Sequence, residues 1–181
     1  MDLVDLIQEK RFLGQEFLAW LWYKSEERGG TVELPNDGDI LVVFEKHMLL
    51  EYGEGDTSEK VICRGLQTQL REARAGLLLA KKPDQARVRI ARGDNEYGVT
   101  LTAGVLEFRN VRLPKTAGRE REGRSTDGVE GQVLERIALF EELIYLVNEL
   151  FRMFITLRSS SAWDDELIRI RQWVSEGALQ Q

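Results

Sequence analysis

Residues 11–28, RFLGQEFLAWLWYKSEER, bring Phe12, Phe17, Trp20, Trp22 and Tyr23 into one predicted helix. Leu13, Phe17, Trp20 and Lys24 follow one face at three-to-four-residue spacing, while Phe12, Ala19 and Tyr23, with Leu18 and Trp22, occupy the others. A helix apolar nearly all round has to be covered on several sides, by the rest of its domain, by another domain or by a second copy of the chain. Gly14 interrupts the run at a cost of about 1 kcal/mol relative to alanine, so something is expected to pack closely on the backbone there. The aromatic residues therefore read in two ways, as a core helix with a crowded crossing or as a surface for a ligand, a nucleobase or a partner. On the second reading Phe12, Phe17, Trp20, Trp22 and Tyr23 are candidate interface residues, together with Ile144 and Phe151 near the C-terminus.

The chain of 181 residues is long enough for one sizeable core, or for a compact domain with a helical appendage. Its 43% hydrophobic and 31% charged residues are those of a soluble globular protein. Lys and Glu interrupt every apolar run well before the roughly 20 residues a membrane helix needs. The N-terminus, MDLVDLIQEKR, carries acids where a secretory signal has basic residues. A single cysteine, Cys63, allows no internal disulfide and agrees with a reducing cytosol. The net charge of −6 argues against nucleic-acid binding through the overall field. Residues 81–124, however, hold 11 Lys and Arg against 6 Asp and Glu, a balance of +5 that leaves −11 elsewhere. A mildly basic middle thus lies between acidic ends.

The first helix is expected to start near Asp2 or Asp5 and to stop at Gly29-Gly30, where a left-handed cap is free of a Cβ clash. Strands follow over residues 31–34, 40–44, 48–52 and 57–63, with residues 40–44 and 48–52 read as hairpin partners and turns at 35–38 and 53–56. From Leu66 the period changes: Leu66, Leu70, Ala73 and Leu77 fit one face of a helix that Lys81 and Lys82 suit electrostatically and Pro83 stops. Residues 85–92 then alternate, with Ala86, Val88 and Ile90 on one side and Arg87, Arg89 and the nearby Arg92 mainly on the other. Segments 97–103 and 105–113 complete a three-stranded meander.

Residues 115–131 hold many charges and no aromatic residue and read as a flexible linker. The longest helix is expected over 132–158. Ile137, Phe140, Ile144, Val147, Phe151 and Phe154 form a heptad seam, beside a second stripe of Leu139, Leu143, Leu146, Leu150 and Met153. Two stripes need two partners: sheet and helix of the same chain, or a helical dimer seam. Ser159-Ser160-Ser161 turns the chain into a last helix with Trp163, Leu167, Ile170 and Val174 along one side. The expected fold is α+β: a mostly antiparallel sheet packed with a long N-terminal helix, one middle helix and a C-terminal helical hairpin. Its divisions are an α+β domain over 1–114, the linker over 115–131, and a hairpin over 132–181 packing on the same core.

Few residues promise chemistry. His47 is the sole histidine and sits beside Glu45 and Lys46 in what reads as a hairpin turn, without an evident base or acid partner. Cys63 lies in a strand, where a thiol acts as an inert small hydrophobe. Glu51, Glu54, Asp56 and Glu59 lack the spacing of a calcium loop, and Gly53-Glu54-Gly55 lacks both the third glycine and the helix of a dinucleotide turn. No cofactor, metal or small-molecule substrate is indicated, and no convergent polar set points to an enzyme. The remaining feature is basic: Arg87, Arg89 and Arg92 on one strand, Lys81 and Lys82 just before it, and Arg109, Arg112 and Lys115 at the end of the meander. Arginines on a wet sheet face can meet phosphates as bidentate donors, although solvated strand faces often carry arginine with no such role.

The stretches FLGQEFLAWLWYKSEERGGTVEL and GDILVVFEKHMLLEYGEGD, the arginine strand and the helix LFRMFITLR together resemble the C-terminal half of the longer RdgC-like, recombination-associated proteins. The likeness runs through most of residues 11–175 and rests on the whole pattern, not on a short diagnostic motif. It implies a non-enzymatic protein linked to DNA and recombination, in a cytoplasmic, nucleoid-associated setting. It also implies a homo-oligomer, or a separate chain that supplies the N-terminal half of the longer proteins. The resemblance assigns no DNA-contacting residue, so the eight cations above rest on charge alone. A module that docks on another protein through its aromatic and C-terminal helices, without touching DNA, is the alternative.

Overall fold

The computed structural model describes residues 11–35, 37–52, 59–64, 68–115 and 126–179. The expected start of the first helix, the turn at 53–56 and residues 116–125 of the expected linker lie outside them. The fold is α+β. In chain order come α1 (Arg11–Glu26), a 3-10 turn (Glu27–Gly30), β1 (Thr31–Leu34), β2 (Gly38–Tyr52), β3 (Glu59–Arg64), α2 (Thr68–Leu78), β4 (Lys82–Arg92), β5 (Asn95–Thr102), β6 (Phe108–Arg112), α3 (Thr126–Arg158) and α4 (Trp163–Leu179). The turn after α1 closes it as its glycines foretold, with Arg28, Gly29 and Gly30 all at positive φ.

The six strands form one antiparallel sheet. Its spine is β2: β1 pairs with its first half and β3 with its second half, both on one edge, while β4, β5 and β6 follow on the other. The expected hairpin between residues 40–44 and 48–52 is therefore a single strand of 15 residues. Glu45, Lys46 and His47 offer none of the glycine, asparagine or proline chemistry a tight turn needs. They form instead a bulge in β2, between the pairs Phe44 with Val88 and Met48 with Ala86, so that three residues face Arg87 alone. Pro83 likewise does not stop the middle helix. The helix closes earlier, where Ala80 takes φ 60° and the Lys81 N–H donates to the Gly76 carbonyl at 3.0 Å. Pro83 then enters β4 beside a register shift against Leu50, a place where a strand tolerates a missing N–H.

Alternation gives the sheet two unlike faces. Val42, Phe44, Met48, Leu50, Ala86, Val88, Ile90, Tyr97, Val99 and Leu101 are buried on one, against α1 and α2. α1 crosses this face, and α3 and α4 close over its outer side. Phe17 meets Phe151 and Phe154 of α3 at 5.2 and 5.7 Å between ring centroids, and Trp22 lies between Phe44 of the sheet and Trp173 of α4. Phe17, Trp20, Trp22 and Tyr23 are all buried. The companion needed to cover the aromatic helix is thus the chain's own C-terminal pair, and these four residues are core rather than interface. The side chain of Phe12 is not described. Gly14 is the crowded crossing: a Cβ there would lie 1.8 Å from the carbonyl oxygen of Ala103, which follows β5.

Polar groups inside this packing are paired. The Trp20 indole N–H donates to Glu166 at 3.2 Å and Lys24 reaches the same carboxylate at 2.8 Å. Glu26 accepts from the indoles of Trp22 and Trp173 at 2.9 and 3.1 Å and pairs with Arg74, whose guanidinium stacks over Trp173. The Tyr97 hydroxyl donates to Glu142 of α3. Burial first, and then the Glu142 carboxylate, raise the Tyr97 pKa; burial and Glu27 push Tyr23 up to about 12. Both hydroxyls hold their protons more tightly folded than unfolded, so their contribution is fully present below the ordinary tyrosine value of about 10 and is lost as pH rises past it. Melting temperature followed between about pH 8 and pH 11 is expected to fall on the alkaline side, and less so in Tyr97→Phe. A flat profile in the native chain would contradict this.

α3 is longer than its expected range. It begins at Thr126, so residues 126–131 of the expected linker are helical. Extending a helix whose far end is anchored requires only propagation, which tolerates Gly128 and Gly131 where nucleation would not. At 33 residues α3 spans roughly 50 Å. Its C-terminal half is packed, with Leu143, Leu146, Val147, Leu150 and Phe154 buried, whereas Val133, Leu134, Ile137 and Phe140 are exposed.

Candidate functional site

The second face of the sheet carries Val43, Glu45 and His47 from β2, Arg87 and Arg89 from β4, Glu96, Gly98 and Thr100 from β5, and Arg109 and Arg112 from β6. No described helix packs on it, so the alternation that sent Val88 and Ile90 inward sends Arg87 and Arg89 to an open surface. Cross-strand register brings acids among them. Arg87 Nε donates to Glu45 at 3.2 Å, and Arg89 lies 3.9 Å from the same carboxylate while donating to Glu96 at 2.9 Å. Arg109 pairs with Glu107 at 2.7 Å, a bond that raises its already high pKa.

The eight expected cations do not form one patch. Arg87, Arg89, Arg109 and Arg112 share the open face. Arg92 is not among them: it follows Ile90 on the helix side, bonds Asp37 at 3.0 Å and lies 3.8 Å from Glu142, where it ties sheet to α3. Lys81 is drawn to Glu59 of β3 at 3.7 Å. Lys82 and Lys115 are exposed at the ends of β4 and of the segment after β6 and, like Arg112, make no ion pair among the described residues. Of the other expected interface residues, Ile144 and Phe151 are half-buried on α3, and Phe151 packs on Phe17.

Two irregularities shape the centre of the open face. The β2 bulge lifts Glu45 and His47 beside Arg87. On the other flank β6 spends one extra residue between its pairings with Thr100 and Gly98, and Asn110 there takes φ 50°, a left-handed conformation asparagine tolerates. The Asn110 carbonyl accepts from Arg87 Nη1. Between the bulges lies a shallow depression of about 390 Å³ lined by His47, Arg87, Thr100 and Asn110. Gly98 makes room for it: a Cβ there would meet Arg87 Nη2 at 2.7 Å. The sequence marked Arg87 but not Thr100 or Asn110, because only strand register brings them together.

Among the described residues no group of three or more His, Cys, Asp and Glu is placed to hold a metal ion, and Cys63 is buried. No helix among them is long and apolar enough to cross a membrane. Comparison with protein families, curated proteins and solved structures finds no match to this chain.

Proposed function

We propose that the chain is a non-enzymatic, RdgC-like protein that associates with duplex DNA independently of sequence and is linked to homologous recombination in a cytoplasmic, nucleoid-associated setting. The observation that carries the reading is the division of the sheet: helices fill one face, and the other is open with four arginines, Arg87, Arg89, Arg109 and Arg112, spread over two strands. Their carboxylate partners do not rule out phosphate contacts, since an exposed ion pair contributes only about 0–1 kcal/mol and a phosphate oxygen can replace the carboxylate. Such contacts position a backbone without reading bases. Retention on unrelated duplexes is expected to be similar and to weaken with salt at a log–log slope of about −3 to −4 for roughly four phosphate contacts. The Arg87→Glu, Arg89→Glu pair is expected to abolish retention while leaving the oligomer's mass unchanged. No retention at about 50 mM salt, or no dependence on salt, overturns the reading.

A second reading, a module that docks on protein, is favoured by the bare half of α3. Val133, Ile137, Phe140 and Ile144 continue upstream the heptad that Val147, Phe151 and Phe154 carry into the chain's own core. The occupant that fits is a second copy in parallel register. The branched Ile137 and Ile144 then take the positions that favour two strands, and Arg136 of each copy faces Glu141 of the other, the spacing of interhelical ion pairs. A homodimer so formed is compatible with the first reading, because the open sheet face lies on the opposite side of α1 from α3.

A further inference from the structure

We infer that the depression between the two bulges is an oxyanion seat for a phosphate group. The inference rests on the proposed DNA association for the source of the phosphate, a backbone phosphodiester, and on geometry alone for the chemistry.

Thr100 lies at its floor on the strand face beside Arg87, is 2% exposed, and makes no side-chain hydrogen bond among the described residues. A buried hydroxyl without a partner is costly and uncommon, so such a group marks a place where a ligand or water completes the site. Three further groups converge on it. Arg87 spends Nε on Glu45 and one Nη1 proton on the Asn110 carbonyl, which fixes the guanidinium and leaves Nη2 over Gly98 with no hydrogen bond among the described residues. His47, the chain's one histidine, lines the rim with no hydrogen bond of its own among the described residues. Asn110 lines the same depression from the left-handed position of the β6 bulge, where its carbonyl holds Arg87.

The donor set selects the ligand class. The Thr100 hydroxyl and the Arg87 Nη2 protons can both donate, and the charge is cationic: Arg87, Arg89 and Arg112 stand against Glu45 and Glu96. A carboxylate sets its two oxygens in one plane, whereas the non-bridging and ester oxygens of a phosphodiester are spread tetrahedrally, which suits donors that approach from two neighbouring strands. Glu45 does not line the depression, and its carboxylate is engaged by Arg87 Nε at 3.2 Å and lies 3.9 Å from Arg89. Gly98 is part of the device, since any side chain there displaces the guanidinium.

The single histidine is a built-in reporter. In the full chain, the His47 imidazole resonances are expected to move on titration with inorganic phosphate and, separately, with a short duplex. Thr100→Val keeps the side-chain shape and removes the unpaired hydroxyl. It is expected to melt no lower than the native chain and to bind phosphate about tenfold more weakly, the loss of roughly one charge-assisted bond. A His47 response to phosphate alone, with no duplex retention, keeps the seat and defeats the DNA reading. Duplex retention with no His47 response to either ligand, or an equal response in Thr100→Val, defeats the seat and keeps the DNA reading.

Discussion

Replacing Gly14 by alanine is expected to destabilise the protein by at least about 3 kcal/mol, above the usual range for an added methylene, because what it strikes cannot move aside. The new Cβ would lie 1.8 Å from the Ala103 oxygen, 2.7 Å from its carbonyl carbon and 2.9 Å from its Cα. All three are backbone atoms, and the Ala103 N–H is itself bonded to the Asp84 carbonyl at 2.7 Å, which fixes that turn to β4. Relief therefore requires α1 to lift off the sheet, and α1 carries Phe17, Trp20, Leu21 and Trp22 with it. The helical preference of alanine over glycine returns only about 1 kcal/mol. At a few degrees per kcal/mol for a chain of this size, the melting temperature should drop by roughly 6–12 °C. Two other helical glycines are internal controls. A Cβ on Gly76 meets only the flexible end of Leu50 at 2.6 Å, and one on Gly131 meets nothing. Gly76→Ala should cost less than Gly14→Ala, and Gly131→Ala should be neutral or slightly stabilising. If all three variants melt alike, the close approach of α1 to the sheet is wrong.

That approach is also the part of the fold most readable from residue order. A glycine inside a run of aromatics has a short list of causes, and the aromatic helix, its Gly29-Gly30 stop, the 85–92 alternation and the meander after it are all local patterns. What residue order did not disclose depends on partners distant in the chain. Nothing in Glu45-Lys46-His47 distinguishes a bulge from a turn except the register of β4 across from it. Arg87 and Arg89 alternate visibly, but Glu45 and Glu96 become their partners only through cross-strand pairing. Arg92 shares their strand and looks like a third member. It stands two residues from Ile90, and the unbroken register of β4 with β5 keeps it on that side, under α3. The apolar circumference of α1 likewise says that a cover is needed and not whose it is, and here the answer is α3 and α4 of the same chain.

The cover that α3 provides to α1 leaves α3 itself exposed upstream, and this leads to the other large expected effect. Val133 is 51%, Ile137 49% and Phe140 38% exposed, on a helix segment of which no described side chain before Leu139 joins the packed core or its partly buried margin. A solitary helical extension of that length is marginal in water, and its apolar stripe gains nothing by facing solvent. Pairing two copies in parallel register buries Ile137 and Phe140 twice, at about 2 kcal/mol for each side chain. The chain is accordingly expected to move from the mass of a monomer toward that of a dimer by light scattering as its concentration is raised to about 100 μM, because the roughly 8 kcal/mol of burial is partly offset by the cost of association. Ile137→Glu with Phe140→Glu should give a monomer of unchanged fold, since neither side chain supports the core: the mass halves while the melting temperature of the body shifts little. Charge reversal tests the register. Arg136→Glu sets two glutamates against each other across the seam and should loosen the dimer, and adding Glu141→Arg should restore it, because the pair is re-formed with opposite polarity. In an antiparallel pairing Arg136 and Glu141 lie on different flanks, so the second substitution would bring no recovery. A native chain that is monomeric at this concentration would leave the stripe without its second copy and remove the dimer from the reading.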